Sequence, residues 1–264
     1  MINKDMTKMT LATGAATLAA TLAVAATDTV AVDKAFVTLK TYDWGADRNA
    51  LNPIDEAINA SHGDTAALRA LEKRLVDALE SGLSRSAQDY VCRRLRVVGT
   101  AQSVPALAAL LPNEETSHIA RYALERIRNQ RATTALRQAL PKVSNKLKPG
   151  LIGALGVRRV KRSVNVISPL LGDSDINVAR AAAHALGLIG TPAAAAALSE
   201  YAKKAPAAMK ISVADASLLC AEQMLADGEK AQAIALYTEL KGEGQPQHVK
   251  VAAMKGMLTA AAQK

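Results

Sequence analysis

NVARAAAHALGLIGTPAAAAAL, residues 177–198, holds ten alanines in twenty-two positions and one break, at Gly190, Thr191 and Pro192. Alanine is the strongest helix former, and glycine and proline are the weakest. Gly190 stands where a helix end wants a residue free to take positive φ. Thr191 followed by Pro192 reads as the N-cap and first position of a new helix. The stretch is therefore two helices joined by a tight turn. Small side chains let such helices approach closely, and one hairpin cannot bury its apolar stripe without neighbours.

Neighbours are present. DYVCRRLRVVGTAQSVPALAALL, SHIARYALERIRNQRATTALRQAL, KLKPGLIGALGVRRVKRSVNVISPLL and NVARAAAHALGLIGTPAAAAALSEY lie over one another. Their first helices share a leucine, at Leu95, Leu124, Leu155 and Leu186, with spacings of 29, 31 and 31. In the first three segments another leucine stands 16 positions further on, at Leu111, Leu140 and Leu171. A period of this size, with two short helices per unit, marks an α-solenoid. The predicted fold class is all-α, an α-α superhelix of about six or seven hairpins. On this register Leu155→Ala opens a cavity between stacked units and costs about 2–5 kcal/mol.

Composition agrees. Half of the 264 residues are hydrophobic but only 3% are aromatic. The core is then built from Ala, Leu, Val and Ile, which favours close helix packing over a pocket lined with rings. Cys92 and Cys220 fall on apolar helical faces and read as core residues, not as a disulfide.

VARAAAHALGLIGTPAAAAAL (178–198) and VGTAQSVPALAALL (98–111) resemble HEAT repeats, in particular the short HEAT-like repeats named after phycobilisome lyases. The resemblance covers residues 84–205. It implies a HEAT/armadillo-type solenoid, and its motif residues are packing and turn positions that say little of function. The run from TYDWG through ARYALERI also looks like a type of HEAT-repeat protein common in exported bacterial multidomain proteins. VADASLLCAEQMLADGEKAQAIALYTELKGEG (213–244) resembles a tetratricopeptide-type hairpin, with the expected Trp and Pro positions unfilled. Ala231, Ile234, Tyr237 and Leu240 are expected on one face of its second helix. HVKVAAMKGMLTAAAQK then starts a further HEAT-like first helix. Its Val251, Met254 and Leu258 are expected as an apolar stripe that closes on the hairpin before it or docks elsewhere.

The chain divides accordingly. Residues 1–26 read as a signal peptide: Lys4 and Lys8 precede an uncharged run from Met9 to Thr27, and Ala23 and Ala25 form an A-x-A cleavage pattern. The expected location is exported, periplasmic or extracellular, with a cytoplasmic chain and a loosely packed first helix as the alternative. No integral membrane insertion is expected after processing. Residues 27–83 form an N-terminal helical cap, 84–205 four HEAT-like repeats, and 206–264 the tetratricopeptide-like hairpin plus a final helix. Within the cap one helix is expected to end near Gly45, and a second is interrupted at Pro53. A third is capped by Asp64, carries Leu68, Leu71, Leu75 and Leu79 as its stripe, and ends at Gly82.

Signals of chemistry are sparse. The sequence has no C-x-x-C, H-E-x-x-H, G-x-x-x-x-G-K-[ST] or G-x-S-x-G pattern. His62, His118, His184 and His248 stand alone, and none precedes a glutamate. The repeated His-Glu pairs of the HEAT-fold deoxyhypusine hydroxylases are thus missing. No catalytic residue, metal ligand or cofactor is expected. Asp55–Glu56 and Glu114–Glu115 are adjacent, and neighbours on a helix diverge by about 100°, so neither makes a carboxylate pair. Trp44, the only tryptophan, reads as a packing anchor that seals the first end of the solenoid. Stacking on a sugar or a base is the alternative.

Charge is the one uneven feature. The chain carries a net +9, yet Arg85 to Arg162 holds sixteen basic and four acidic residues, against seventeen and twenty elsewhere. Arg128 and Arg131 fall in the turn of the second repeat; Arg158, Arg159, Lys161 and Arg162 fall in the turn of the third. Equivalent turns stack along one edge of a solenoid, so these six form a candidate binding edge for a polyanion or an acidic partner. The plainer reading is a solvated face that keeps an alanine-rich chain soluble. As a surface residue, Arg159 is expected to tolerate alanine at less than about 0.5 kcal/mol. No aromatics interleave the edge, which argues against single-strand recognition, and export argues against nucleic acid altogether. The expected function is a non-catalytic scaffold for protein–protein interaction. A polyanion or duplex-DNA binder, as some HEAT-like glycosylases are, and an accessory subunit similar to bilin lyases are the alternatives.

Overall fold

The computed structural model describes residues 29–262, and every regular element among them is helical. The predicted signal segment lies outside the described residues. Two compact units divide between Val98 and Gly99, inside the first predicted repeat.

The first unit holds four helices: α1 (residues 29–39), α2 (Asn52–Ala60), α3 (Thr65–Leu79) and α4 (Arg85–Val98). α1 ends well before Gly45, which instead takes a positive φ of 87° in the loop that follows. Pro53 does break the next segment: a 3-10 turn (Arg48–Leu51) precedes α2, and the proline sits in the first turn of α2, where no N–H is needed. Asp64 caps α3 by accepting from the N–H groups of Ala66 and Ala67 at 2.9 and 3.0 Å. Of the predicted stripe, Leu71, Leu75 and Leu79 are buried, and Leu68 is half-buried. α3 packs on α4, whose Leu95 is fully enclosed.

The second unit runs through α5 (Val104–Ala109), α6 (Ser117–Arg126), α7 (Gln130–Ala139), α8 (Lys148–Val157), α9 (Val164–Ile167), α10 (Ile176–Ile189), α11 (Pro192–Ala202), α12 (Ala207–Ala226), α13 (Lys230–Leu240) and α14 (Gln247–Ala262). First helices stack in order, α6 on α8, α8 on α10, and α10 on α12. Leu124, Leu155 and Leu186 have no exposed surface. Leu111, Leu140 and Leu171 are buried with them, as the sixteen-residue offset requires.

Glycine sets the closeness of this stack. A Cβ on Gly156 would meet Ala185 Cα at 2.8 Å, and one on Gly187 would meet the Ala216 carbonyl at 2.7 Å. Both glycines sit one repeat from their contact, so α8, α10 and α12 touch backbone to backbone. Gly190 ends α10 at φ 59°, and Thr191 accepts from the Ala194 N–H at 3.2 Å to start α11. The second arm of the third repeat is not one helix. It is a 3-10 turn (Lys161–Ser163), the single turn of α9 and a second 3-10 turn (Ser168–Gly172). Pro169 lacks the N–H that would let α9 continue.

The C-terminal hairpin packs one step round from expectation. Ala233, Leu236, Tyr237 and Leu240 are buried, whereas Ala231 is exposed. α14 seats on α12 and α13 through Val249, Ala253 and Ala260, with Gly256 receiving the Tyr237 ring. The expected stripe therefore does not close the hairpin: Val251, Met254 and Leu258 are exposed. No helix among the described residues is long and apolar enough to cross a membrane. Cys92 and Cys220 are free and buried, and burial pushes each thiol up to about 12.

Candidate functional site

The six candidate cations of the turn edge do two different jobs. Arg158 is half-buried and points into the protein. Its Nη1 donates to the carbonyls of Leu124, Glu125 and Ile127 at 2.9, 2.7 and 2.8 Å. Its Nη2 donates to the Asn129 carbonyl and, like Nε, to Thr133 Oγ1. The Leu124, Glu125 and Ile127 carbonyls lie at the end of α6, where the helix dipole is negative.

Arg159 works in the other direction. Its Nε donates to the Leu188 carbonyl at 3.1 Å and its Nη2 to the Ile189 carbonyl at 3.4 Å. The same guanidinium forms a bidentate pair with Asp227, at 3.0 and 2.6 Å, in the turn between α12 and α13. That hydrogen bond holds the Asp227 carboxyl below the usual carboxylate range. Arg159, expected as a surface residue, instead bonds to two neighbouring turns. Two adjacent arginines fasten the turn of the third repeat to the turns on either side.

Arg128, Arg131, Lys161 and Arg162 are exposed, with Arg131 in the first turn of α7 and not in the loop before it, where the sequence had placed it. None of the four forms an ion pair among the described residues. Asn129 supports the first pair by accepting from the Arg131 N–H at 2.8 Å as the cap of α7.

A second constellation, in the first unit, escaped the sequence reading. Asp55 on α2 accepts from Arg94 Nε at 2.5 Å and Nη2 at 2.7 Å, from Arg48 Nη2 at 2.7 Å, and from the Tyr90 hydroxyl at 3.0 Å. Both guanidiniums also lie over the Tyr90 ring, with Cζ 4.5 Å (Arg48) and 4.2 Å (Arg94) from its centre. Burial alone would raise the Asp55 carboxyl, but the Arg94 and Arg48 hydrogen bonds outweigh it and hold the group at about 2. The same burial, with Asp55 alongside, pushes the Tyr90 phenol up. Asp55 is thus a fixed anion, and Tyr90 stays protonated.

Over this cluster opens a cleft of about 460 Å³ lined by Tyr42, Trp44, Arg48, Arg85, Ser86, Asp89, Tyr90, Arg93 and Arg94. Trp44 is 92% exposed, so it does not seal an end. Its loop is anchored by Ser84, whose hydroxyl donates to the Tyr42 carbonyl at 2.6 Å. The α4 residues of the cleft fall at 85, 86, 89, 90, 93 and 94, one helical face at i, i+4 spacing. That periodicity was readable; its meeting with Arg48 and Asp55 was not, because α2 lies more than thirty residues away.

The histidines are exposed. His248, at the start of α14, has its Nε2 2.8 Å from Asp215 on α12. Glu114, in the turn before α6, takes Lys146 at 2.7 Å. Among the described residues no three His, Cys, Asp or Glu side chains gather as a metal site.

The stacked and fastened helix pairs define an all-α repeat protein. Residues 144–217 match the family of HEAT repeats, so the chain carries HEAT repeats over α8 to the middle of α12. Among solved structures it is similar to two engineered proteins. One is 17% identical, with 86% of this chain and 71% of that chain covered and a TM-score of 0.42. The other is 16% identical, with 86% and 96% covered and a TM-score of 0.28. No curated protein matches the chain.

Proposed function

We propose that the chain is a non-catalytic, exported interaction scaffold whose repeat turns present Arg128, Arg131, Lys161 and Arg162 to an acidic face of a protein partner. One observation carries this reading. Arg158 and Arg159 are engaged in holding the turns, which leaves four exposed cations on a braced edge. Charges on a preorganised frame steer encounter and fix orientation at low ordering cost. The two thiols are buried and held up at about 12, which keeps them protonated and out of reach of a ligand on this edge.

The test is retention of partner protein on immobilised wild type and on a variant with all four cations changed to glutamate. The expected result is a protein retained by wild type, released as salt rises, and lost from the variant. Retention of duplex DNA or heparin in place of any protein favours the polyanion reading, and equal retention by both forms removes the edge from the binding surface. Sequencing the mature N-terminus of the native protein tests export.

A further inference from the structure

We propose that the cleft under Trp44 is a separate docking site for an acidic peptide segment, one whose carboxylates meet the arginines while an apolar neighbour lies on the indole. The inference rests on the protein-partner reading only in choosing a peptide as the ligand.

Four observations converge. First, the indole is 92% exposed at the mouth of a 460 Å³ cleft. An amphipathic ring beside a cavity offers a ligand a flat apolar face to pack on. Second, four guanidiniums face two carboxylates, Asp55 and Asp89, so the cleft is net positive. Guanidinium groups donate and never accept, so the ligand must be rich in acceptors. A neutral sugar, which needs both, is a poor match; a carboxylate is a good one.

Third, the frame is set in advance. Asp55 holds Arg48 and Arg94 against the Tyr90 ring, while Arg48 and Arg93 still expose 40% and 56% of their side chains. Fourth, tryptophan, tyrosine and arginine are the residues in which binding energy concentrates at protein interfaces. The volume, toward the low end for ligand pockets, suits one or two side chains of an extended segment. A nucleic-acid strand is disfavoured, because it needs successive stacking platforms and the cleft offers one exposed ring.

Trp44 is the only tryptophan, so its emission reports this site alone. The full chain is titrated with an array of synthetic peptides, each carrying two adjacent glutamates flanked by Leu, Phe or Tyr. An oligothymidine strand and an oligogalacturonate serve as the other arms. The expected result is a blue-shifted emission with at least one peptide. Trp44→Ala and Arg93→Glu should each weaken that peptide about tenfold or more by anisotropy, with circular dichroism unchanged. The four-glutamate variant of the turn edge should bind it as wild type does, which separates this site from the edge. The inference falls if no peptide moves the emission, if Trp44→Ala binds equally well, or if only the nucleotide or the uronate is bound.

Discussion

Arg158 and Arg159 are adjacent in the chain and hold opposite neighbours, Arg158 the carbonyls that end α6 and Arg159 those that end α10. The backbone explains the divergence. Arg158 has φ −74°, whereas Arg159 has φ 49°, the one non-glycine residue with positive φ among those described. The reversal of hand sends consecutive side chains apart. A left-handed arginine costs on the order of 1 kcal/mol, offset here by charge-assisted hydrogen bonds to two turns.

Alanine at these positions should therefore act on stability. Arg158→Ala should cost about 2 kcal/mol, since several helix-end carbonyls lose a charged donor. Arg159→Ala should cost about 1 kcal/mol, and Arg159→Gly less than that, because glycine relieves the backbone. Arg162→Ala should stay within about 0.5 kcal/mol. Urea denaturation of the four proteins gives the order, and equal midpoints for Arg158→Ala and Arg162→Ala contradict the bracing role.

The glycines of the stacked helices should behave unequally. Gly187→Ala forces a methyl against the Ala216 carbonyl and should cost about 1–3 kcal/mol. Gly153→Ala lies in the same helix as Gly156 but meets nothing within 4 Å. It should stabilise by about 0.5–1 kcal/mol through better helix propensity. Thermal melts that shift the same way for both would mean that the backbone contact is absent.

Acid should loosen the first unit through Asp55. Its folded pKa, about 2, lies below the ordinary 3.8. The folded state thus favours the ionised form, and the stability this contributes is complete above about pH 4 and disappears as pH falls toward 2. With 27% of the side chain exposed, screening reduces the contribution to about 1–2 kcal/mol. Asp55→Asn should lower stability at neutral pH and flatten the acid limb between pH 4 and 2. An unchanged acid profile in the variant would assign that limb to other carboxylates.

Trp44 in the unliganded protein should emit as a solvated indole, and iodide should quench it nearly as well as it quenches free tryptophan. Trp44→Ala should change stability by less than about 0.5 kcal/mol. A blue emission maximum without ligand would restore the sealing role that the sequence suggested.

Leu155, fully enclosed between stacked helices, should cost about 2–5 kcal/mol as alanine. Here the periodicity of the sequence and the burial in the structure lead to the same number.

What the sequence determined by itself was the repeat. The cap at Gly190, the N-cap at Thr191 and the leucines at 124, 155 and 186 depend on φ, on local hydrogen bonding and on helical spacing, all of which act within a few residues. What only the tertiary structure decided was where side chains go once helices stack. Arg158, Arg159, Asp227, Asp55 and Tyr90 find partners from about thirty to nearly seventy positions away. Those pairings depend on how far one hairpin is rotated against the next, and a rotation of one residue turns a solvated arginine into a clasp. The same geometry left Trp44 in water and moved the buried face of α13 from Ala231 to Ala233. Apolar residues recurring every three or four positions fix that a helix has an inner face; the neighbouring helix fixes which residue stands at its centre.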